Sequence, residues 1–175
     1  MSGKKLLGID PGSLFCGYGL IYCAGAQESR SRRAVNAHRY LSSGRIILPA
    51  GKPLHARLDE LYVSLTEVIG EYKPDEVIVE KIFFAKGIKA ALSLGHTRGV
   101  VLLAASRAGM PIREYSALEV KKAVVGYGRA EKAQVQKMVK EILGIRHTLS
   151  PDSADALALA LCHANSMSME RMKGL

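Results

Sequence analysis

The stretch Ala154–Ala164 (ADALALALCHA) constrains this chain more than any other, because past the acids of its first turn it is apolar on every side of a helix. A surface helix needs a polar face, so this one must be buried and the rest of the chain arranged around it. Ser150-Pro151 marks its start: a hydroxyl able to cap free N–H groups, then a proline in the first turn. Ahead of it, Lys4–Ile9 is a short apolar run ended by Asp10-Pro11-Gly12, and Gly17–Cys23 reads as a second strand. Residues 24–39 are polar and rich in Ser and Arg, which predicts a loop before a third strand over Tyr40–Leu48.

The pattern then switches to alternating helices and strands. Leu54, Leu58, Leu61, Leu65, Val68 and Ile69 recur at helical spacing, and Pro74 closes that helix before the strand Glu76–Val79. A helix over about 87–108 carries Gly95, Gly99, Ala104 and Ala105, small enough for close packing. Pro111–Tyr115 is a fifth strand, Val120–Val125 a short helix, and a further helix runs from near Glu131 to Gly144, a C-cap glycine. Three strands followed by this alternation predict an α/β fold with a five-stranded mixed sheet flanked by helices. With 175 residues, 48% of them hydrophobic, one domain over 1–166 is expected, with 167–175 as a flexible tail.

Charge narrows the partners. Lys and Arg number 25 against 16 Asp and Glu, a formal net charge of +9 that favours a polyanion, nucleic acid first. The excess is clustered: residues 29–58 hold Arg30, Arg32, Arg33, Arg39, Arg45, Lys52 and Arg57 without one acid, and 81–113 are likewise free of acids. The alternative is a solvated basic surface. The apolar run after Lys4 and Lys5 is too short for a secretory leader, and no stretch could span a bilayer, so a cytoplasmic protein is expected. Cys16, Cys23 and Cys162 have no metal-ligand spacing and read as reduced, partly buried thiols.

Against this basic background a few acids fall beside apolar elements. Asp10 ends the first strand, Glu80 ends the fourth, and Asp152 and Asp155 lie three apart at the start of the buried helix, on one face. Carboxylates brought together repel and raise one another's pKa, so a cluster that stays ionised needs a counter-charge. Oxygen-only ligands suit hard divalent ions, Mg2+ or Mn2+. Two such ions about 4 Å apart can serve phosphodiester hydrolysis. Each acid also has an ordinary structural explanation: Asp-Pro-Gly is a common turn, acids favour a helix N-terminus, and Glu80 could merely end a strand.

Five segments in order resemble the motifs of the RuvC family of Holliday-junction resolvases: GIDPG at 8–12, GYG at 17–19, VEKIFFAK at 79–86, VVGYGRAEKAQVQ at 124–136 and DSADALALA at 152–160. The resemblance spans nearly the whole chain. It implies an RNase H-like fold, with Asp10, Glu80, Asp152 and Asp155 as catalytic carboxylates holding two Mg2+ ions, for which Mn2+ can substitute. It further implies a homodimer that cuts symmetric strands of four-way junction DNA, and partnership with a branch-migration motor of the RuvA and RuvB type. Phe83 matches an aromatic that wedges into the junction, and Lys121 and Lys132 match positions that contact DNA; from composition alone Phe83 would be a core residue. His147, just ahead of the acidic helix, is a candidate proton carrier or a solvated loop histidine.

The chain departs from the family in its longer, more basic 24–39 stretch and in Gly87, which stands where a polar residue is expected. Other readings stay open. Gly-Ile-Asp-x-Gly also opens the actin-like ATPases, whose two lobes need a longer chain and a second phosphate loop; a binding module without catalysis would lack one of the acids. A related nuclease acting on RNA or another branched DNA shares the metal chemistry but not the substrate.

Overall fold

The computed structural model describes residues 3–25, 38–81 and 87–172, with side chains to residue 170; Phe83 and most of the basic 24–39 stretch lie outside the described residues. Strands β1 (Lys4–Pro11), β2 (Phe15–Cys23) and β3 (His38–Ile47) form an antiparallel meander. Strands β4 (Glu76–Glu80) and β5 (Ile112–Tyr115) extend it in parallel on the far side of β1, giving the order β3-β2-β1-β4-β5. Helix α1 (Leu54–Tyr72) connects β3 to β4, and α2 (Ile88–Arg107) precedes β5. The chain finishes with α3 (Ala117–Val125), α4 (Lys132–Leu143) and α5 (Pro151–Met172). This is the five-stranded mixed sheet flanked by helices that the sequence predicts.

The two-residue period of the strands sorts side chains onto two faces. On β1, Leu7 and Ile9 join Val77 and Val79 of β4 in the cluster under α1 and α2. Leu6 and Ile78 belong to the opposite cluster, with Val135, Val139, Leu157 and Leu161 of α4 and α5. Continuing the alternation past Ile78 and Gly8 puts Glu80 and Asp10 on the α5 face, at the C-terminal ends of two neighbouring parallel strands. Strand β3 carries a bulge opposite Leu20/Ile21: Tyr40 pairs with Ile21 and Ser42 with Leu20, leaving Leu41 as an extra residue.

Helix α5 can lie on this face because the strands beneath it carry glycine. A Cβ on Gly8 would come within 1.9 Å of the Ala156 carbonyl oxygen, one on Gly17 within 2.1 Å of the Asp152 carbonyl oxygen, and one on Gly19 within 2.7 Å of the Leu157 nitrogen. The GYG motif thus makes room for a helix backbone. Ser150 Oγ accepts from the Ser153 N–H at 3.2 Å, and Ser153 Oγ donates to the Gly44 carbonyl at 3.0 Å, tying the start of α5 to β3.

Two boundaries differ from expectation. Helix α3 begins at Ala117 rather than Val120, because Ser116 and Glu119 form a reciprocal capping box whose Ser-x-x-Glu signal was present in the sequence. Helix α5 continues to Met172 with Met167 buried, so the domain boundary placed at 166 falls inside it. All three cysteines are buried. Among the described residues no helix is long and apolar enough to cross a membrane.

At the N-terminal ends of β1 and β4, a buried polar cluster anchors α5 to the sheet. Glu76, 2% exposed, accepts from Lys4 at 2.5 Å, from Arg113 Nε at 2.9 Å and from His163 Nε2 at 3.2 Å. Burial lowers the His163 pKa against the pull of Glu76, so the imidazole is neutral at pH 7. Nε2–H then donates to Glu76, and Nδ1 accepts from the Tyr115 hydroxyl at 2.7 Å. Burial alone would raise Glu76, but the hydrogen bonds from Lys4 and Arg113 outweigh it and hold the carboxyl below its ordinary range. A carboxylate with a lowered folded-state pKa stabilises the fold above its unfolded value of 4.5, and that stability is lost as pH falls through the folded value. Glu76→Gln should therefore cost about 2–3 kcal/mol at neutral pH, the scale of hydrogen bonds to charged groups, in chemical denaturation. It should also flatten the loss of stability below pH 4.5; an unchanged acid limb would remove Glu76 as its source.

Candidate active site

Where β1 and β4 end beneath the start of α5, the acids predicted from the sequence come together. Asp10, Glu80 and Asp155 line one cavity, walled by Ala117, Val120 and Lys121 of α3, Lys132 and Val135 of α4, and Ala158 and Leu159 of α5. Asp152, one turn earlier on α5, lies over Gly17 on the β3 side and is near enough to raise the Asp10 pKa. Strand parity supplies Asp10 and Glu80, helical spacing supplies the other two acids, and the glycine cradle sets the gap between them.

The electrostatics are those of crowded carboxylates. Asp10 is raised to about 7, by burial first and then by Asp155 and Glu80, with Asp152 adding less and Lys132 opposing. Glu80 is raised by burial and Asp155 against the pull of Lys132 and Arg98. The Cys16 thiol beneath is pushed up to about 12, by burial and then by Asp10 and Asp152, which leaves it inert as a nucleophile.

Lys132 answers part of this charge. The first residue of α4, it forms an ion pair with Asp155. Burial would lower its pKa, but the Asp155 hydrogen bond and the charges of Asp155, Asp10 and Asp152 raise it. The sequence marked Lys132 as a phosphate contact; the structure also makes it an internal counter-charge of the acids. The start of α4 is fixed by a cap, in which Gln134 Oε1 accepts from the Glu131 N–H at 2.8 Å and from the Tyr127 hydroxyl at 3.0 Å.

Three further residues that the sequence did not single out stand at the site, two of them fixing its backbone and the third at its edge. Arg98 of α2 donates to the Glu80 carbonyl at 2.5 Å and pairs with Glu114 of β5, fixing the end of β4. Ser153 fastens the α5 terminus, as described above. Arg45 of β3 lies 3.8 Å from Asp152 and over the Phe15 ring, 4.3 Å from its centroid. In the sequence Arg45 was one arginine among many in a basic stretch; its register opposite Gly17 is a tertiary fact. His147 packs against Tyr40, ring centroids 5.7 Å apart, and is absent from the cavity wall.

Among the described residues no three acid, histidine or thiol groups stand close enough to form a ready-made metal cage. The donor set nevertheless fits hard divalent cations: it is all carboxylate oxygen, and Asp10 and Glu80, raised by burial and by their acidic neighbours, would have their charged forms favoured by a cation placed between them.

Residues 6–163 match the family described as Crossover junction endodeoxyribonuclease RuvC. The chain is 46% identical over 158 residues to the protein of that name from Shewanella frigidimarina, covering 90% of this chain and 85% of the relative. It is 42% identical over 167 residues to that from Geobacter sp. strain M21, covering 95% and 96%. Its structure is similar to T. thermophilus RuvC in complex with Holliday junction substrate, with a TM-score of 0.84 at 33% identity over 95% of this chain and 96% of that one.

The pKa of Asp10 carries a sign for stability. A carboxyl raised in the folded state favours folding when protonated, so its penalty grows as pH climbs from its unfolded value of 3.8 through about 7. In chelator at a pH above that window, Asp10→Asn should therefore stabilise the protein, by on the order of 2 kcal/mol. Thermal unfolding of both forms at several pH values reads this directly; a destabilised variant would show that burial and the neighbouring acids do not penalise the Asp10 carboxylate.

Proposed function

Because the chain belongs to the RuvC family of crossover junction endodeoxyribonucleases, we propose that it resolves Holliday junctions in recombination and repair, hydrolysing paired phosphodiester bonds of four-way DNA. The observation that carries this reading is the cavity itself, which Asp10, Glu80 and Asp155 line together with Lys121 and Lys132, in a basic chain. RNase H-like architecture supplies the frame.

Asp10, Glu80, Asp152 and Asp155 would hold two Mg2+ ions, or Mn2+ in their place. When bound, the ions supply Lewis acidity, lowering the pKa of a water and balancing charge on the leaving oxygen. The chain's own residues do the rest. Lys121 and Lys132 orient the scissile phosphate, and Lys132 is held in the cavity by its ion pair with Asp155 before substrate arrives. Arg98 holds the Glu80 backbone so that its carboxylate keeps its place beside Asp10. Val120, Val135 and Leu159 line the cavity with hydrocarbon, which keeps the dielectric low and strengthens each charge interaction.

A two-fold substrate favours a two-fold enzyme. Helix α2 offers a surface for one: Ile88, Leu92 and Leu103 are 82, 60 and 52% exposed, with Gly95 and Gly99 between them open to solvent. These five residues share one stripe, opposite the buried Thr97, Val101 and Ala104. A homodimer joined along α2 would hide it, and α2 lies next to Glu80 through Arg98. The partnership with a branch-migration motor rests on family resemblance, as does the role of Phe83 as a junction wedge.

Cleavage of a four-way junction, a matched linear duplex and an RNA–DNA hybrid, each with Mg2+ and with chelator, tests the function. Metal-dependent paired nicks confined to the junction are expected, and Asp10→Asn should bind the junction without cutting it. Cleavage of the hybrid with the junction spared would keep the metal site and replace the substrate; binding without any cleavage would leave a DNA-binding module. Leu92→Glu should yield a monomer by light scattering and turn paired nicks into unpaired ones, and an unaltered dimer would place the interface elsewhere.

A further inference from the structure

Across three strands, Asp10, Gly17 and Arg45 stand in one row, since Asp10 pairs with Gly17 and Gly17 with Arg45. All three face α5. Gly17 contributes no side chain, and the start of α5 fills the space above it, so Asp152 sits between Asp10 and Arg45. The acids therefore have a cation at each side: Lys132 pairs with Asp155 on the α4 side, and Arg45 lies beside Asp152 at the β3 edge.

The setting of Arg45 is unlike that of a residue committed to an intramolecular bond. Its guanidinium lies over the Phe15 ring, which attracts it as a cation and limits where it can swing. Its nearest approach to Asp152 is 3.8 Å, beyond hydrogen-bond reach, and among the described residues it forms no hydrogen bond. The side chain is 38% exposed. Five planar donors thus stand beside the carboxylates with no hydrogen-bond acceptor among the described residues, an arrangement suited to bidentate recognition of a phosphate.

We propose that Arg45 binds a backbone phosphate of the cleaved strand next to the scissile one, on the β3 side of the carboxylates. A strand passing Lys121 and Lys132 and crossing the acids leaves the site over Asp152, where the guanidinium waits. The proposal rests on the reading of this cavity as a DNA-cleaving site, and it extends the contact surface to an edge strand that the family resemblance did not mark. A charged residue on an edge strand can also serve only to deter strand pairing, and an arginine near an acid can serve only to position that acid. Neither role calls for a phosphate.

Equilibrium binding in chelator, where no cutting occurs, separates these roles for Arg45→Gln and Arg45→Lys on a four-way junction and a linear duplex over a range of salt. Arg45→Gln should weaken binding roughly tenfold, the loss of one hydrogen-bonded charge contact. It should also reduce the slope of log affinity against log salt by about 0.9, one phosphate fewer. Arg45→Lys should keep the slope, while both variants keep the wild-type melting temperature and the wild-type Mn2+ affinity measured by calorimetry. An Arg45→Gln variant with wild-type affinity and slope would overturn the proposal in favour of edge protection. An altered Mn2+ affinity with the slope intact would overturn it in favour of positioning Asp152. The resolvase reading fails separately: if the wild type bound the junction no better than the duplex, that reading would be lost, while a reduced slope for Arg45→Gln on the duplex would still sustain the phosphate contact.

Discussion

Everything at this site depends on how closely a helix backbone approaches a sheet. Helices normally stand off a sheet by the thickness of two layers of side chains, but α5 touches main chain at Gly8, Gly17 and Gly19. That contact puts the first turn of α5 directly over the ends of β1 and β2, where Asp152 and Asp155 meet Asp10. The same contact explains why α5 is apolar all round: the sheet takes one side, and α3 and α4 close over the rest. Burial of the helix and assembly of the acids are one geometric event.

Crowding of like charge opposes that assembly. Asp10 and Glu80 are both raised, by burial first and then by neighbouring carboxylates, and Lys132, with Arg98 at Glu80, offsets only part of the shift. The far end of the sheet behaves in the opposite sense, since Glu76 is lowered by its cationic partners and joins Lys4, Arg113, His163 and through it Tyr115. One end of the molecule thus holds α5 firmly while the other is kept under electrostatic load. Sites that must accept cations are expected to carry such a load.

Much of this was legible in the sequence because it depended on local periods. Alternation on β1 and β4 fixed which face Asp10 and Glu80 occupy, and the three-residue spacing of Asp152 and Asp155 fixed theirs. The all-apolar run of α5 revealed its burial, and the GYG motif marked the cradle without disclosing its purpose. What escaped detection depended on distance in three dimensions. Lys132 was visible as a cation at a helix start, whereas its pairing with Asp155 needs α4 packed on α5. Arg98 and Arg45 act through partners 16 to 107 positions away along the chain, which no period encodes. The early start of α3 is a different kind of miss, because Ser116 and Glu119 announced it locally.

The bulge in β3 has its own bearing on this geometry. Tyr40 and Arg45 are five positions apart, so in a regular strand they would project from opposite sides of the sheet. With Leu41 inserted between paired residues, both project toward α5, Tyr40 into the core and Arg45 toward Asp152. The bulge works as a half-turn in the odd–even count of an edge strand: the residues before it are indexed to the hydrophobic interior and those after it to the carboxylates. A single-residue insertion or deletion between Leu41 and Arg45 would turn Arg45 away from Asp152 while leaving Tyr40 in the core.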